Sequence, residues 1–172
     1  MSRSKGEKAK SKCNTVPTEQ DWGDYQRDLD QNSAHEKFFG RTNEEMQPRF
    51  RRNLFSYEEE LYYMPEIPFR YYTLGFRDFV MAGNFEGRDA SGAASCFLGL
   101  VEQKLQNNPR HIMPIMPDLF PAIEHVAHNQ SAYDADVEIY GHFLDTLKRI
   151  QDLYERCGGR AYSDQLNAFL RK

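Results

Sequence analysis

Residues 54–81 read LFSYEEELYYMPEIPFRYYTLGFRDFVM, and this stretch decides the fold. Ser56 is followed three positions later by Glu59, the arrangement in which each side chain satisfies the other's free backbone N–H, so a helix start or restart is expected there. Pro65 biases Met64 away from helical dihedrals and ends that segment, while Pro68 stands where a first turn tolerates a missing donor. A second helix is therefore expected from Pro68 to Met81. At 100° per residue it places Phe69, Tyr72, Thr73, Phe76, Phe79 and Val80 on one broad apolar side, the stripe a core-facing helix needs. Arg70, Leu74, Arg77 and Met81 form its flank, which reads either as Leu74 and Met81 packing on another helix while the arginines reach to solvent, or as a surface for an acidic partner or a phosphate.

Upstream, Trp22, Tyr25 and Leu29 precede a short helix expected over His35–Phe39, with Gly40 as its stop. Thr42 and Glu45 make a capping box for a segment with Met46, Phe50, Leu54 and Phe55 at helical spacing. Pro48 lies late for a first turn, so a kink or a later start is expected. Arg49, Arg51 and Arg52 form the internal basic cluster, which reads as pairing with Glu44, Glu45 and the Glu58–Glu60 run rather than as a nucleic-acid patch.

Downstream, Gly83 and Gly87 flank a loop and Asp89 is placed to cap the next helix. That helix buries Ala90, Ala93, Ala94, Phe97, Leu100, Val101 and Leu105, with Gly92 and Gly99 available for a close neighbour, and it breaks at Asn107, Asn108 and Pro109. Pro114 is expected to keep the chain extended and Pro117 to open a helix burying Leu119, Phe120, Ile123, Val126 and Ala127. A long helix over Asp136–Cys157 is expected to bury Ile139, Tyr140, Phe143, Leu147, Ile150, Tyr154 and Cys157. Gly158 and Gly159 stop it, and Ser163 caps a last helix burying Leu166, Phe169 and Leu170. With no strand pattern, the fold class is all-α: a single compact domain over 21–172 of about six to seven helices, preceded by a disordered basic tail over 1–20.

The 172 residues are enough to bury a core, and 40% hydrophobic and 13% aromatic content supplies one. Ten Tyr and twelve Phe against one Trp hint at a binding surface, because tyrosine serves interfaces as well as core edges. Arg3, Lys5, Lys8, Lys10 and Lys12 against Glu7 make the tail basic, so the body is more acidic than the formal net charge of −4. Such a body argues against nucleic acid, whose recognition needs a basic face, and suits a basic protein partner. Cys13, Cys96 and Cys157 are odd in number and widely spaced, which points to a reducing compartment and no structural zinc. No apolar run approaches a membrane span and the basic start leads into no apolar region, so a cytoplasmic location is expected, without membrane association.

Signatures for dinucleotide, phosphate, zinc-protease, hydrolase and calcium chemistry are missing. Asp78, Asp134, Asp136 and Glu138 have the type for a carboxylate pair, but acids are expected at helix starts for capping alone. Glu124 with His128 and Glu138 with His142 share an i,i+4 spacing. Known di-iron bundles use Glu-x-x-His pointing inward, so these pairs read as exposed helix contacts and neither metal nor other cofactor is expected.

The blocks MPEIPFRYYTLGFRDFVM (64–81) and HIMPIMPDLFPAIEHVAHNQSAYDADVEIYGHF (111–143) resemble small helical bacterial immunity proteins that accompany polymorphic toxins of the Rhs type, over residues 40–157. The resemblance implies a cytosolic, non-catalytic protein that neutralises a cognate toxin by binding it, and assigns no residue. From the residues themselves, the expected partner surface is the corner of Tyr62, Tyr63, Glu66, Arg70, Tyr71, Arg77 and Asp78, since aromatic and arginine anchors dominate interfaces. The acidic loop of Asp134, Asp136 and Glu138 is second. An enzyme using carboxylates with His128 and His142, or a structural adaptor, are the alternatives.

Overall fold

A computed structural model describes residues 15–85 and 89–160, and the expected C-terminal helix capped by Ser163 lies outside the described residues, as do Gly87 and Cys13. The described chain is all-α, helices and 3-10 turns joined by short loops, with no strand among the described residues. It divides into two units, Met1–Asp89 and Ala90–Lys172.

In the first unit the helices are α1 (Glu19–Trp22), α2 (Leu29–Phe38), α3 (Asn43–Arg52), α4 (Leu54–Tyr63) and α5 (Glu66–Ala82), with a 3-10 turn at Tyr25–Arg27. Helix α1 begins at Glu19, with Thr18 as its N-cap, inside the segment expected as a tail. The Asp21 carboxylate accepts from the Thr18 backbone N–H at 2.9 Å and its hydroxyl at 2.7 Å, and this turn sets Trp22 fully into the core.

Helix α2 is longer than the expected His35–Phe39. The Asp28 carboxylate caps it by accepting from the N–H groups of Asp30 and Gln31, and its first half exposes Leu29, so no apolar stripe announces it. Gly40 follows it at φ +72, a left-handed position that glycine takes without strain.

Helix α5 starts at Glu66 rather than Pro68, with Pro65 in extended geometry just before it. Pro68 falls in the first turn, where backbone N–H groups lack intrahelical partners. All six residues of the expected stripe are buried, and the helix stops at left-handed Gly83.

Helix α3 lies across α5. The Thr42–Glu45 capping box forms, so the helix begins at Asn43 and carries Pro48 inside it rather than starting later. The missing Pro48 donor costs one bond to the carbonyl of Glu44, an exposed residue. Asn53, at φ −152, breaks the chain between α3 and α4. The Ser56–Glu59 capping box therefore does not form. Ser56 is inside α4, where its hydroxyl accepts from Lys37 Nζ at 3.1 Å, and Phe55 points outward.

The α3–α5 contact is set by polar groups on bare backbone. Asn43 Nδ2 donates to Tyr71 O at 3.0 Å and Gln47 Nε2 to Gly75 O at 3.0 Å. A Cβ on Gly75 would lie 2.2 Å from Asn43 Oδ1, so only glycine fits. Tyr72 Oη lies 2.6 Å from Phe38 O and 2.9 Å from Arg41 O, its one proton shared between the carbonyls that end α2. Lys37 and Glu60 form an ion pair between α2 and α4, and Ser33 Oγ donates to the same carboxylate at 2.8 Å.

The second unit contains α6 (Ala90–Asn107), α7 (Pro109–Ile112), α8 (Met116–His128), α9 (Val137–Tyr140) and α10 (Phe143–Arg156), with 3-10 turns at Met113–Ile115 and Gln130–Tyr133. The expected inward faces of α6 and α8 are buried except for the half-buried Ala90. Asp89, before α6, has a φ of +38. Gly99 mediates no close approach, since a Cβ there would meet nothing. Pro114 lies in a 3-10 turn instead of an extended segment.

The expected helix over Asp136–Cys157 is two helices. Gly141 at φ +69 separates them, and the Gln130 side chain holds the break: it donates to Gly141 O at 2.7 Å and Ala135 O at 3.0 Å and accepts from Phe143 N–H at 2.9 Å. Phe143, Leu147, Ile150 and Tyr154 of α10 are buried, and the helix packs against α6 and α8. The break turns Ile139 outward, and Cys157 is exposed beyond the helix end. Gly158 at φ +88 stops α10 as expected.

Candidate functional site

The proline corner between α4 and α5 carries Tyr62, Tyr63 and Glu66, while Arg70, Arg77 and Asp78 follow along α5, Arg77 about 16 Å beyond Glu66 at the helical rise. The C-cap Met64 is extended and buried, and Pro65 after it turns the chain directly into α5. This leaves Tyr62 and Tyr63 at the end of α4 in edge-to-face contact, ring centroids 5.1 Å apart. Tyr63 is 39% exposed, an orientation that keeps one aromatic surface at the solvent boundary.

On α5, Glu66 and Arg70 form an i,i+4 ion pair. One turn and a further turn along, the Asp78 carboxylate takes Nε and Nη2 of Arg77 at 2.8 and 2.6 Å, a two-pronged clasp. The Arg70 and Arg77 side chains are only 14% and 25% exposed. Both stems lie along the protein with their heads held by carboxylates, so each guanidinium is fixed in place.

Tyr71 does not belong to this surface. Its side chain is buried, at 6% exposure, with its hydroxyl accepting from Asn43 N–H at 3.3 Å, and burial pushes the phenol pKa up. It faces the α3 side of the helix, where Asn43 meets both its hydroxyl and its carbonyl.

The second expected surface lies in the other unit. Asp134 occupies a left-handed turn at φ +52 and Asp136 caps α9 by accepting from Glu138 N–H at 2.8 Å. All three acids are exposed. The broken helix adds what spacing concealed: Val137 between Asp136 and Glu138, and Ile139 just after Glu138, are at the surface, Ile139 at 74% exposure. An uninterrupted helix would have turned Ile139 inward, and the signal against it was Gly141.

The His pairs do not assemble. Glu138 and His142 are on opposite sides of the helix break, and His142 is the N-cap residue of α10. Glu124 and His128 share α8. Among the described residues no group of three or more His, Cys, Asp or Glu side chains is placed to hold a metal ion. Glu58, half-buried beside Glu59, has its carboxyl pushed up to about 7, by burial first and by its neighbour's charge second. No helix among the described residues is long and apolar enough to cross a membrane. Comparison of the chain with protein-family models, with curated proteins and with solved structures finds no match in any of the three.

Proposed function

We propose that the chain is a non-catalytic protein-binding module, an immunity protein that occludes a cognate bacterial toxin in the cytoplasm. The toxin assignment rests on the resemblance of residues 40–157. The observation that carries the binding role is the pair Arg70 and Arg77, two guanidinium groups held by carboxylates along one flank of α5, the helix that follows the half-buried Tyr62 and exposed Tyr63 across the proline corner. Side chains fixed before association lose little rotamer freedom on binding, which raises the affinity obtained from a given contact. Arginine and tyrosine are also the residue types that concentrate interface energy.

The acidic Asp134–Glu138 segment, with Val137 exposed within it and Ile139 just after it, supplies a second patch suited to a basic partner surface. The test is capture of the tagged full chain from its own lysate at low salt, followed by expression of the co-purified protein alone and with the chain. The expected result is a near-equimolar partner that is toxic alone and harmless together. Arg70→Glu with Arg77→Glu should then abolish both capture and protection, and retention of both by that folded double variant would reject the corner.

A further inference from the structure

Two members of the internal arginine cluster, Arg49 and Arg52, do not pair with their acidic neighbours among the described residues. Arg51 Nε donates to Asn84 O at 3.0 Å and turns away. Glu60 pairs with Lys37. Among the described residues, the guanidinium groups of Arg49 and Arg52 have no hydrogen bond or ion pair. Both lie in the last turn of α3, where cations are favoured by the helix dipole, so their presence alone needs no ligand.

What the dipole does not account for is Arg41. It precedes α3, outside the helix, and yet it lines one cavity of about 420 Å³ together with Arg49, Arg52, Glu45, Pro48 and Tyr57. Arg41 is held there by donating to Phe39 O at 3.2 Å. Glu45, the anion in the lining, makes no ion pair with the arginines among the described residues; its Oε2 accepts from Thr42 N–H at 2.8 Å in the capping box, and its single charge leaves the lining net positive. Tyr57 is anchored by its ring, edge-on to Phe38 at 5.5 Å and Phe50 at 6.1 Å.

We propose that this cavity is a binding site for a small phosphorylated molecule. Three guanidinium forks and a phenol around one space match the several oxygens and double charge of a phosphoryl group, more than a single carboxylate requires. The volume falls within the range of small-molecule sites and exceeds what bare phosphate fills, so the ligand carries an organic part beside the phosphate. The carboxylate of Glu45 at the lining disfavours a continuous polyanion such as nucleic acid. None of the six lining residues belongs to the Tyr62–Asp78 corner, so the site stands apart from the proposed partner surface.

The test is calorimetric titration of the full chain with inorganic phosphate, phenyl phosphate, phenylacetate and a short single-stranded DNA, ionic strength held constant with chloride. The expected result is saturable one-to-one binding of phenyl phosphate, tighter than phosphate or phenylacetate. Arg49→Ala and Arg41→Ala should each weaken it by about tenfold, while Arg51→Ala, outside the lining, leaves it unchanged. Helical circular dichroism of each variant separates lost binding from lost fold. No saturable binding of phenyl phosphate, equal binding by Arg49→Ala, or binding of DNA alone would overturn the proposal.

Discussion

The two units hold their helices together by different means. In Met1–Asp89, α2, α3 and α5 are joined by rings and by side-chain groups that bond to main-chain carbonyls of a neighbouring element: Tyr72 onto Phe38 and Arg41, Asn43 onto Tyr71, Gln47 onto Gly75. Trp22, Phe38, Phe50, Tyr72 and Phe76 form a linked set of aromatic contacts among them. In Ala90–Lys172, the buried faces of α6, α8 and α10 are built largely from Ala, Leu, Ile and Val; the Gln130 clasp ties a loop, and the Arg149–Glu102 pair that joins α10 to α6 is half-exposed. Directional bonds define one register and tolerate little displacement, whereas aliphatic packing accepts small shifts at modest cost. The corner proposed for partner binding is thus carried on the unit with the more directional contacts.

The sharpest way to break this contrast is Gly75→Ala. The new methyl group collides with Asn43 Oδ1 and must push α3 from α5, so a loss of about 3 kcal/mol is expected in urea unfolding followed by Trp22 fluorescence. A loss below about 1 kcal/mol would show that the interface slides. Next is Tyr72→Phe, which removes one hydroxyl and leaves two carbonyls without it. About 2 kcal/mol should be lost by the same measurement.

The units should also differ in pH response. Glu58, raised to about 7 in the folded protein, binds a proton there that the unfolded chain has released, so its burden grows as pH rises from 4.5 to 7 and is constant above. Glu58→Gln should stabilise by about 1–2 kcal/mol at pH 8 and by nothing below pH 4.5. Lys104, buried in α6, has its amine lowered to about 8 by desolvation. Its burden is complete below pH 8 and disappears as pH rises to 10.5. Lys104→Met should therefore stabilise by about 1–2 kcal/mol at pH 7 and not above pH 10.5, read by circular dichroism during urea unfolding. The smallest effect is Arg149→Ala, which removes a half-exposed ion pair with Glu102 and should cost no more than about 0.5 kcal/mol.

The α5 stripe was legible because six apolar positions repeat at helical period with prolines marking the start. The Thr42–Glu45 cap and the Gly83 and Gly158 stops were legible for the same reason: local chemistry decides them. Helix α2 was not, since it buries few residues and is held by Asp28 and by contacts from distant segments. The break at Gly141 was missed because its determinant, Gln130, lies eleven residues away and acts through its amide. At the corner, Arg70, Arg77, Tyr62 and Tyr63 follow from helix phase, but the burial of Tyr71 depends on where α3 crosses.

The Gly75–Asn43 contact also bears on ancestry. An oxygen facing a bare Cα couples two positions far apart in the chain, so neither can change size without the other. A distant relative should be recognisable less by overall similarity than by a paired pattern: a capping Thr followed by Asn, with Gln four residues after the Asn, and Tyr-Tyr followed by Gly three residues later. Lineages that replace this glycine should have replaced the asparagine as well.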